Sequence, residues 1–397
     1  MLPIREIEDI FLRVLQENNN RDAINKRVKY FDSHDFERLY ELSIKHRLLP
    51  VFYNRILSLD LENIPPEFTS RLKNIYIVNL RRNLLLEREL LRILSIFKDS
   101  DIPVMPLKGV VFARYLYGDL AFRQSSIDLD LLVREEQIAK AESLLKELGY
   151  SFLGKEEDDD RNRFLKLKYD RHLQFSVKAN ALNTLNLELH CDTRGFFVVT
   201  NLRDFWHNSR EEQIDGYKVL MPSPEDMLIY LSQLSLSTFE FVELKYLYDL
   251  HMCIDKFKRA FHWDSILKKQ NIGNLKSYIF FALRLCRNLF QTDIPQGLIN
   301  QFKPALTKIV FLQAWVNKKN ILRKNNFISS SYSWRYLAST CLYAQDLFDF
   351  LRKIYEKVFL PMEEVVYFYR RQWQKWPYAV YIKRLLKPFF SPAGLRS

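Results

Sequence analysis

The chain has 397 residues and a formal charge of +12 at pH 7, and 48% of its residues are hydrophobic. This composition supplies a packed interior and excludes a disordered chain, while 9 glycines and 14 prolines exclude a collagen-like or linker-rich protein. The length predicts two or three domains or subdomains, and the basic charge indicates attraction to polyanions such as phosphates, nucleic acid or anionic lipid.

The first hundred residues predict helices. Apolar residues recur at helical spacing from Leu2 to Leu15, and Ser33 is a candidate cap for the next helix. Beyond Pro65 and Pro66, residues 67–97 form one long amphipathic stretch without glycine or proline. The segment therefore predicts helices that pack on their neighbours.

Residues 102–192 predict a mixed α/β region. Short apolar or alternating runs, typical of strands, occupy 102–107, 125–133, 164–178 and 182–192. Helical patterns lie between the first three runs and stop at Gly118 and Gly149.

Helices return after Pro222, and the later stretches include 296–317 and 333–360. The predicted fold class is therefore α+β, with a small mixed sheet between two helical regions. The predicted regions are 1–100, 101–221 and 222–397.

Two acidic residues lie on one face of the predicted strand that ends at Val133. A period of two places Asp128 and Asp130 about 7 Å apart along that face. Carboxylates that share a site repel each other unless a cation lies between them, and oxygen ligands of this kind suit Mg²⁺. The alternative is an amphipathic strand with a solvated acidic face.

A second alternating strand repeats the arrangement, because Asn186, Glu188 and His190 share the face opposite to three leucines. If the two strands are neighbours, Glu188 completes a cluster of three carboxylates. Phosphoryl-type transfer with two metal ions needs such a cluster, since one ion activates the attacking hydroxyl and the other neutralises the leaving phosphates. His190 either orders a metal ligand or the acceptor, or is a structural histidine.

Several motifs, in this order, resemble the uncharacterised nucleotidyltransferase family of the DNA polymerase β-like superfamily. The family shows an LKG turn, an arginine before an acidic strand, an acid-Leu-His strand, a PSPED helix start, and a helix with a basic residue and an Asp. The matching positions here are Leu107–Gly109, Arg123, Asp128–Val133, Glu188–His190, Pro222–Asp226 and Lys245–Asp249.

The resemblance implies a nucleotidyltransferase core and transfer of a nucleoside monophosphate from an NTP to an acceptor hydroxyl. It implies that Mg²⁺ or Mn²⁺ is held by Asp128, Asp130 and Glu188. The implied contacts of the nucleotide are Lys108, Gly109, Arg123, Ser125, Ser126 and Lys245. For Lys245, an ion pair with Asp249 on the same helix face is the alternative.

Two other functions are compatible with the sequence. The basic charge is compatible with nucleotidyl transfer to RNA, which predicts strongly salt-dependent RNA binding. The other is a catalytically degenerate nucleotidyltransferase fold that serves as a binding module and binds ATP with Mg²⁺ weakly or not at all. The acceptor itself is unspecified: a small molecule, a glycan or a protein.

The segment 365–397 interleaves aromatic residues with seven Lys/Arg residues and has no acidic residue. Such a segment suits an anionic membrane surface or single-stranded nucleic acid, and the alternative is a terminal helix packed on the protein. The N-terminus lacks an apolar signal core, and the four scattered cysteines indicate reduced thiols. The expected location is cytoplasmic, with peripheral membrane association through the tail as a variant.

Overall fold

A computed structural model of the chain describes most of its first 323 residues and a helix further on. The described residues are 3–16, 21–126, 128–153, 167, 172–178, 184–191, 202–237, 244–269, 275–314, 316–323, 341, 344 and 347–358. The predicted tail at 365–397 and most of the predicted strand portion at 164–171 lie outside them.

The N-terminal segment is helical, as the apolar spacing predicts, and its described part contains five helices. They are α1 (Ile4–Leu15), α2 (Arg21–Val28), α3 (Ser33–Lys45), α4 (Leu49–Leu59) and α5 (Pro66–Asp99). The predicted cap of α3 is wrong by one residue, because Asp32 rather than Ser33 precedes the helix. The Asp32 carboxylate accepts a hydrogen bond from the Asp35 backbone N–H at 3.0 Å, and the Asp35 carboxylate accepts one from the Asp32 N–H at 3.3 Å.

A five-stranded mixed sheet follows. Its strands are β1 (Val104–Pro106), β2 (Asp128–Val133), β3 (Ser151–Phe152), β4 (His172–Lys178) and β5 (Thr184–His190). Their order in the sheet is β1-β2-β5-β4-β3, in which β2 and β5 are parallel and the other neighbours are antiparallel. Two helices lie in the connections between these strands: α6 (Val110–Tyr115) between β1 and β2, and α7 (Ile138–Glu147) between β2 and β3.

The pairing of β2 with β5 decides which side chains meet. Asp128 lies opposite Asn186, and Asp130 lies opposite Glu188. The leucines that alternate with these residues are buried against the hydrophobic core. The polar side chains of the two strands therefore share one face, which we call the polar face.

A second, two-stranded sheet was absent from the sequence prediction. After α8 (Leu202–His207), strands β6 (Arg210–Ile214) and β7 (Tyr217–Met221) form a hairpin. Its turn residues Asp215 and Gly216 have φ values of 51° and 81°.

The rest of the described chain is helical. Its helices are α9 (Pro224–Ser237), α10 (Leu244–Phe257), α11 (Trp263–Lys269), α12 (Leu275–Phe290), α13 (Gln296–Gln301), α14 (Leu306–Gln313), α15 (Lys318–Arg323) and α16 (Leu347–Val358). The single helix predicted at 296–317 is wrong, because the chain leaves the helical path between α13 and α14, where Pro304 lacks a backbone N–H.

One hydrophobic core cluster joins the N-terminal helices, the sheet and the C-terminal helices, with Phe11, Leu131 and Leu283 among its members. The fold class is confirmed as α+β, with a small mixed sheet between helical regions. The division at residues 100 and 221 stays a prediction. Among the described helices, none is long and apolar enough to cross a membrane.

Candidate active site

The most buried acidic residue of the polar face is Asp130. Its side chain is fully buried, and its Oδ1 atom lies 3.0 Å from Lys108 Nζ and 3.5 Å from His190 Nε2. Its Oδ2 atom is also buried, and it has no hydrogen-bond partner within the described ranges. A buried carboxylate oxygen without a partner is costly and is explained when a bound group completes the site.

Glu188 reaches the same place from β5. Its Oε2 atom lies 3.4 Å from His190 Nε2, and its Oε1 atom accepts a hydrogen bond from Gln174 Nε2 at 3.3 Å. One ligand atom from each of Asp130, Glu188 and His190 lies within 4.8 Å of the other two. These three residues, called the ligand triad below, therefore face a common point.

Asp128 lies on the same face but outside the ligand triad. It is half-buried, and its Oδ1 atom accepts a hydrogen bond from Asn186 Nδ2 at 3.2 Å. Burial raises the pKa of Asp128, and the negative charges of Asp130 and Glu188 raise it further against the effect of the Asn186 hydrogen bond. The three predicted carboxylates are thus electrostatic neighbours.

Two basic groups balance these acids. Burial by itself would raise the pKa of Glu188, but His190 and the charge of Lys108 lower it to about 2. Burial would lower the pKa of Lys108, and the charge of Asp130 reverses that effect and raises it. The pKa of His190 is raised for the same reason, since its contacts with Asp130 and Glu188 outweigh burial. At 3.4–3.5 Å these histidine contacts are longer than close hydrogen bonds, and they are ion pairs only when His190 is protonated.

The ligand triad fits a divalent cation. Two carboxylates and an imidazole are common ligands of such ions. The Oδ2 atom of Asp130, which has no hydrogen-bond partner within the described ranges, can serve as a ligand atom. A cation here would also relieve the repulsion between the acids.

Arg123 does not lie open to the site. Its guanidinium is buried, and Nε and Nη2 donate hydrogen bonds to the two carboxylate oxygens of Asp249 on α10, each at 2.8 Å. Its Nη1 atom donates to the Gly109 carbonyl, also at 2.8 Å. The Tyr117 hydroxyl donates to Asp249 at 2.7 Å. Arg123 therefore ties the turn at Gly109 to α10.

Two asparagines of α5 hold the backbone of the same segment. Asn79 Nδ2 donates to the carbonyls of Ala121 and Arg123 at 3.1 Å, and Asn83 Nδ2 donates to those of Leu120 and Arg123 at 2.6 and 2.8 Å. The sequence patterns did not single out these two asparagines, and the spacing of Asp249 from Lys245 suggested only a local role for Asp249. A signal was present, since two asparagines four residues apart on the buried side of a helix need partners.

The remaining predicted contacts of the nucleotide are two serines that follow this segment and a lysine of α10. Ser125 is buried, and no partner of its hydroxyl occurs among the described residues, while Ser126 is half-buried. Lys245 is buried on α10, with Nζ 4.5 Å from the centre of the Tyr246 ring. The structure shows where these three side chains lie, but it does not identify a ligand for any of them.

Gly109 occupies a backbone conformation that side chains disfavour, with φ 82° and ψ −134°. We expect Gly109→Ala to lower the free energy of unfolding by about 1–3 kcal/mol, because only glycine adopts this region without strain. Denaturant unfolding measures the change. Gly297→Ala is the matched control, since Gly297 lies in α13 with open space around its Cα and should be neutral or slightly stabilising. Equal effects at both positions would contradict the prediction.

Comparison with known proteins agrees with the geometry. A family model described as "Uncharacterised nucleotidyltransferase" matches residues 32–291, which include the sheet, the ligand triad, Arg123 and Asp249. No curated protein and no solved structure matches the chain.

Proposed function

This chain belongs to the uncharacterised nucleotidyltransferase family, and from that premise we propose that it transfers a nucleoside monophosphate from an NTP to an acceptor hydroxyl. The observation that carries the proposal is the in-register pairing of Asp130 with Glu188 on two parallel strands, beside Lys108 and His190. The acceptor is a small molecule, a glycan or a protein.

The proposed cation is Mg²⁺ or Mn²⁺, held by acidic residues of the polar face, with Asp130 and Glu188 as ligands and Asp128 beside them. Such a cation would neutralise the triphosphate and activate the acceptor hydroxyl. Glu188, with a pKa near 2, is ionised at neutral pH and is a weak base. Its proposed role is therefore that of a ligand rather than a proton acceptor.

Lys108 is proposed to bind the triphosphate. Its ammonium group is already next to Asp130 at 3.0 Å, so a phosphate at the ligand triad would come within its reach. Ser125 and Ser126 are proposed to donate hydrogen bonds to the phosphates, and Lys245 is a further proposed contact. Gly109 allows the chain to turn between Lys108 and α6.

Arg123 is proposed to position the site rather than to bind phosphate. Three of its nitrogen atoms are already engaged by Asp249 and Gly109, and its side chain is buried. It would act on the nucleotide through the turn that carries Lys108.

One observation favours a second function, the catalytically degenerate binding module. Lys108 and His190 already place two basic groups against the carboxylates, so the acids are partly balanced without a metal ion. In that case ATP with Mg²⁺ would bind weakly or not at all. The proposals of a cytoplasmic location and of peripheral membrane contact through 365–397 are compatible with either function.

The deciding experiment is transfer of label from each α-labelled NTP, with Mg²⁺ or Mn²⁺ and cell extract. We expect wild type to label an acceptor and Asp128→Asn/Asp130→Asn to label none. Glu211→Gln is the control, because Glu211 is an exposed residue of the β6–β7 hairpin and pairs only with Lys218 in the described chain. Equal labelling by wild type and the active-site variant would defeat the proposal. Binding of RNA that weakens steeply with salt would favour an RNA acceptor instead.

A further inference from the structure

His190 holds a more central place in the site than Asp128 does. Its ring is fully buried, and Nε2 lies 3.5 Å from Asp130 Oδ1 and 3.4 Å from Glu188 Oε2. It follows Glu188 by two positions on β5, so the same strand periodicity that aims Glu188 at the site also aims His190 there. One nitrogen therefore lies close to two carboxylates from neighbouring strands.

Asp128 is engaged elsewhere. The Asn186 amide donates a hydrogen bond to it at 3.2 Å, and Asn186 is its register partner across the two strands. The group of ligand atoms within 4.8 Å of one another contains Asp130, Glu188 and His190. Strand β2 thus directs the Asp130 carboxylate toward the common point, whereas the Asp128 carboxylate lies outside the ligand triad.

We propose that His190 Nε2, together with Asp130 and Glu188, is a protein ligand of the cation, and that this mixed site prefers a divalent transition ion such as Mn²⁺ to Mg²⁺. The inference rests on the proposed function, since it concerns the same site. Imidazole is a good ligand of first-row transition ions, whereas Mg²⁺ favours oxygen ligands and keeps much of its water. Three protein ligands leave positions for phosphate oxygens and water.

Lys108 does not exclude this arrangement. It approaches Asp130 at Oδ1, while the buried Oδ2 atom of the same carboxylate is partnerless in the described chain. One oxygen of Asp130 can therefore keep Lys108 while the other binds the cation, and the carboxylate links the two positive charges.

A neighbouring histidine provides a matched control. His172 lies opposite His190 on β4, with the two ring centres 5.1 Å apart. It is half-buried and lies outside the ligand triad. A substitution at His172 changes the surroundings of His190 but removes none of the proposed ligands.

Electron spin echo envelope modulation of Mn²⁺ bound to the full chain tests the proposal without any turnover. Wild type should show the ¹⁴N modulation of a directly coordinated imidazole, and His172→Gln should keep it. His190→Gln should lose it and bind Mn²⁺ at least about tenfold more weakly, with a smaller change for Mg²⁺. When wild type is labelled with [¹⁵N]histidine, a ¹⁵N pattern should replace the ¹⁴N pattern. This measurement uses no variant, so the test does not depend on whether His190→Gln folds.

The outcomes separate this inference from the proposed function. Mn²⁺ bound to wild type without ¹⁴N modulation would overturn the role of His190 and leave the carboxylate site standing. Loss of the modulation in His172→Gln but not in His190→Gln would overturn it as well. Failure of wild type to bind either ion would overturn the cation site itself, and with it the proposed function.

Discussion

Asp130→Asn alone is expected to lower the initial rate of label transfer by about a thousandfold or more, which corresponds to several kcal/mol of lost transition-state stabilisation. Asp130 is the member of the ligand triad that also contacts Lys108, so its loss removes a charged ligand and leaves the lysine without its closest carboxylate. Asp128→Asn is expected to lose much less, about tenfold to a hundredfold, because Asp128 lies outside the triad.

The ranking of the two variants is the informative result. Both substitutions remove one negative charge from the same face of β2, so they serve as controls for each other. Mn²⁺ binding, measured by electron paramagnetic resonance, should follow the same order as the rates. Circular dichroism checks that both variants fold. Equal losses for Asp128→Asn and Asp130→Asn would contradict the placement of Asp128 outside the ligand triad.

The strands of the site were predictable because their signal is local. In β5 the leucines and the polar residues alternate along the whole strand, and in β2 they alternate as far as Leu131. The structure buries these leucines as that pattern requires. Whether β2 and β5 are neighbours was not predictable in the same way. Parallel pairing joins segments about 58 positions apart, and only the packing of the whole sheet decides it.

The burial of His190 was harder to predict than its face. The alternation assigned His190 to the face opposite to the leucines, yet its ring is fully buried. Burial and then the charge of Asp130 raise the pKa of Tyr230, so this tyrosine of α9 lies near the site. A strand pattern cannot report which distant segments of the chain pack against it.

The β6–β7 hairpin was missed although a local signal existed. Asp215 and Gly216 separate two five-residue strands, and Asp-Gly is among the strongest signals for a two-residue hairpin turn. Charged residues make up most of β6, whereas β7 has only Lys218 followed by an apolar run. Neither strand clearly alternates apolar and polar side chains, and this weak pattern hid them.

The ion-pair partner of Asp249 depends on tertiary structure and could not be predicted from spacing along one helix. Its spacing from Lys245 favoured a pair along one helix, but its described ion pair joins it to Arg123, 126 positions away. A buried guanidinium requires a counter-charge, and its partner Asp249 is fully buried as well. This requirement couples the C-terminal helices to the turn that carries Lys108.

Asp249→Asn is expected to lower the free energy of unfolding by about 3–5 kcal/mol, because it leaves the Arg123 guanidinium buried without its counter-charge. Denaturant unfolding followed by circular dichroism measures the loss. Glu211→Gln again serves as control, since it breaks an exposed ion pair with Lys218 and should change stability very little.

The double variant Arg123→Met/Asp249→Leu separates the cost of an unpaired charge from the value of the pair. Apolar residues of similar size often replace a buried ion pair without loss, so the double variant should recover much of the stability that Asp249→Asn loses. It should nevertheless bind nucleotide more weakly than wild type, because no side chain then holds the Gly109 carbonyl as Arg123 does. A double variant as unstable as Asp249→Asn would contradict the charge argument, and one that binds nucleotide as wild type does would contradict the positioning role of Arg123.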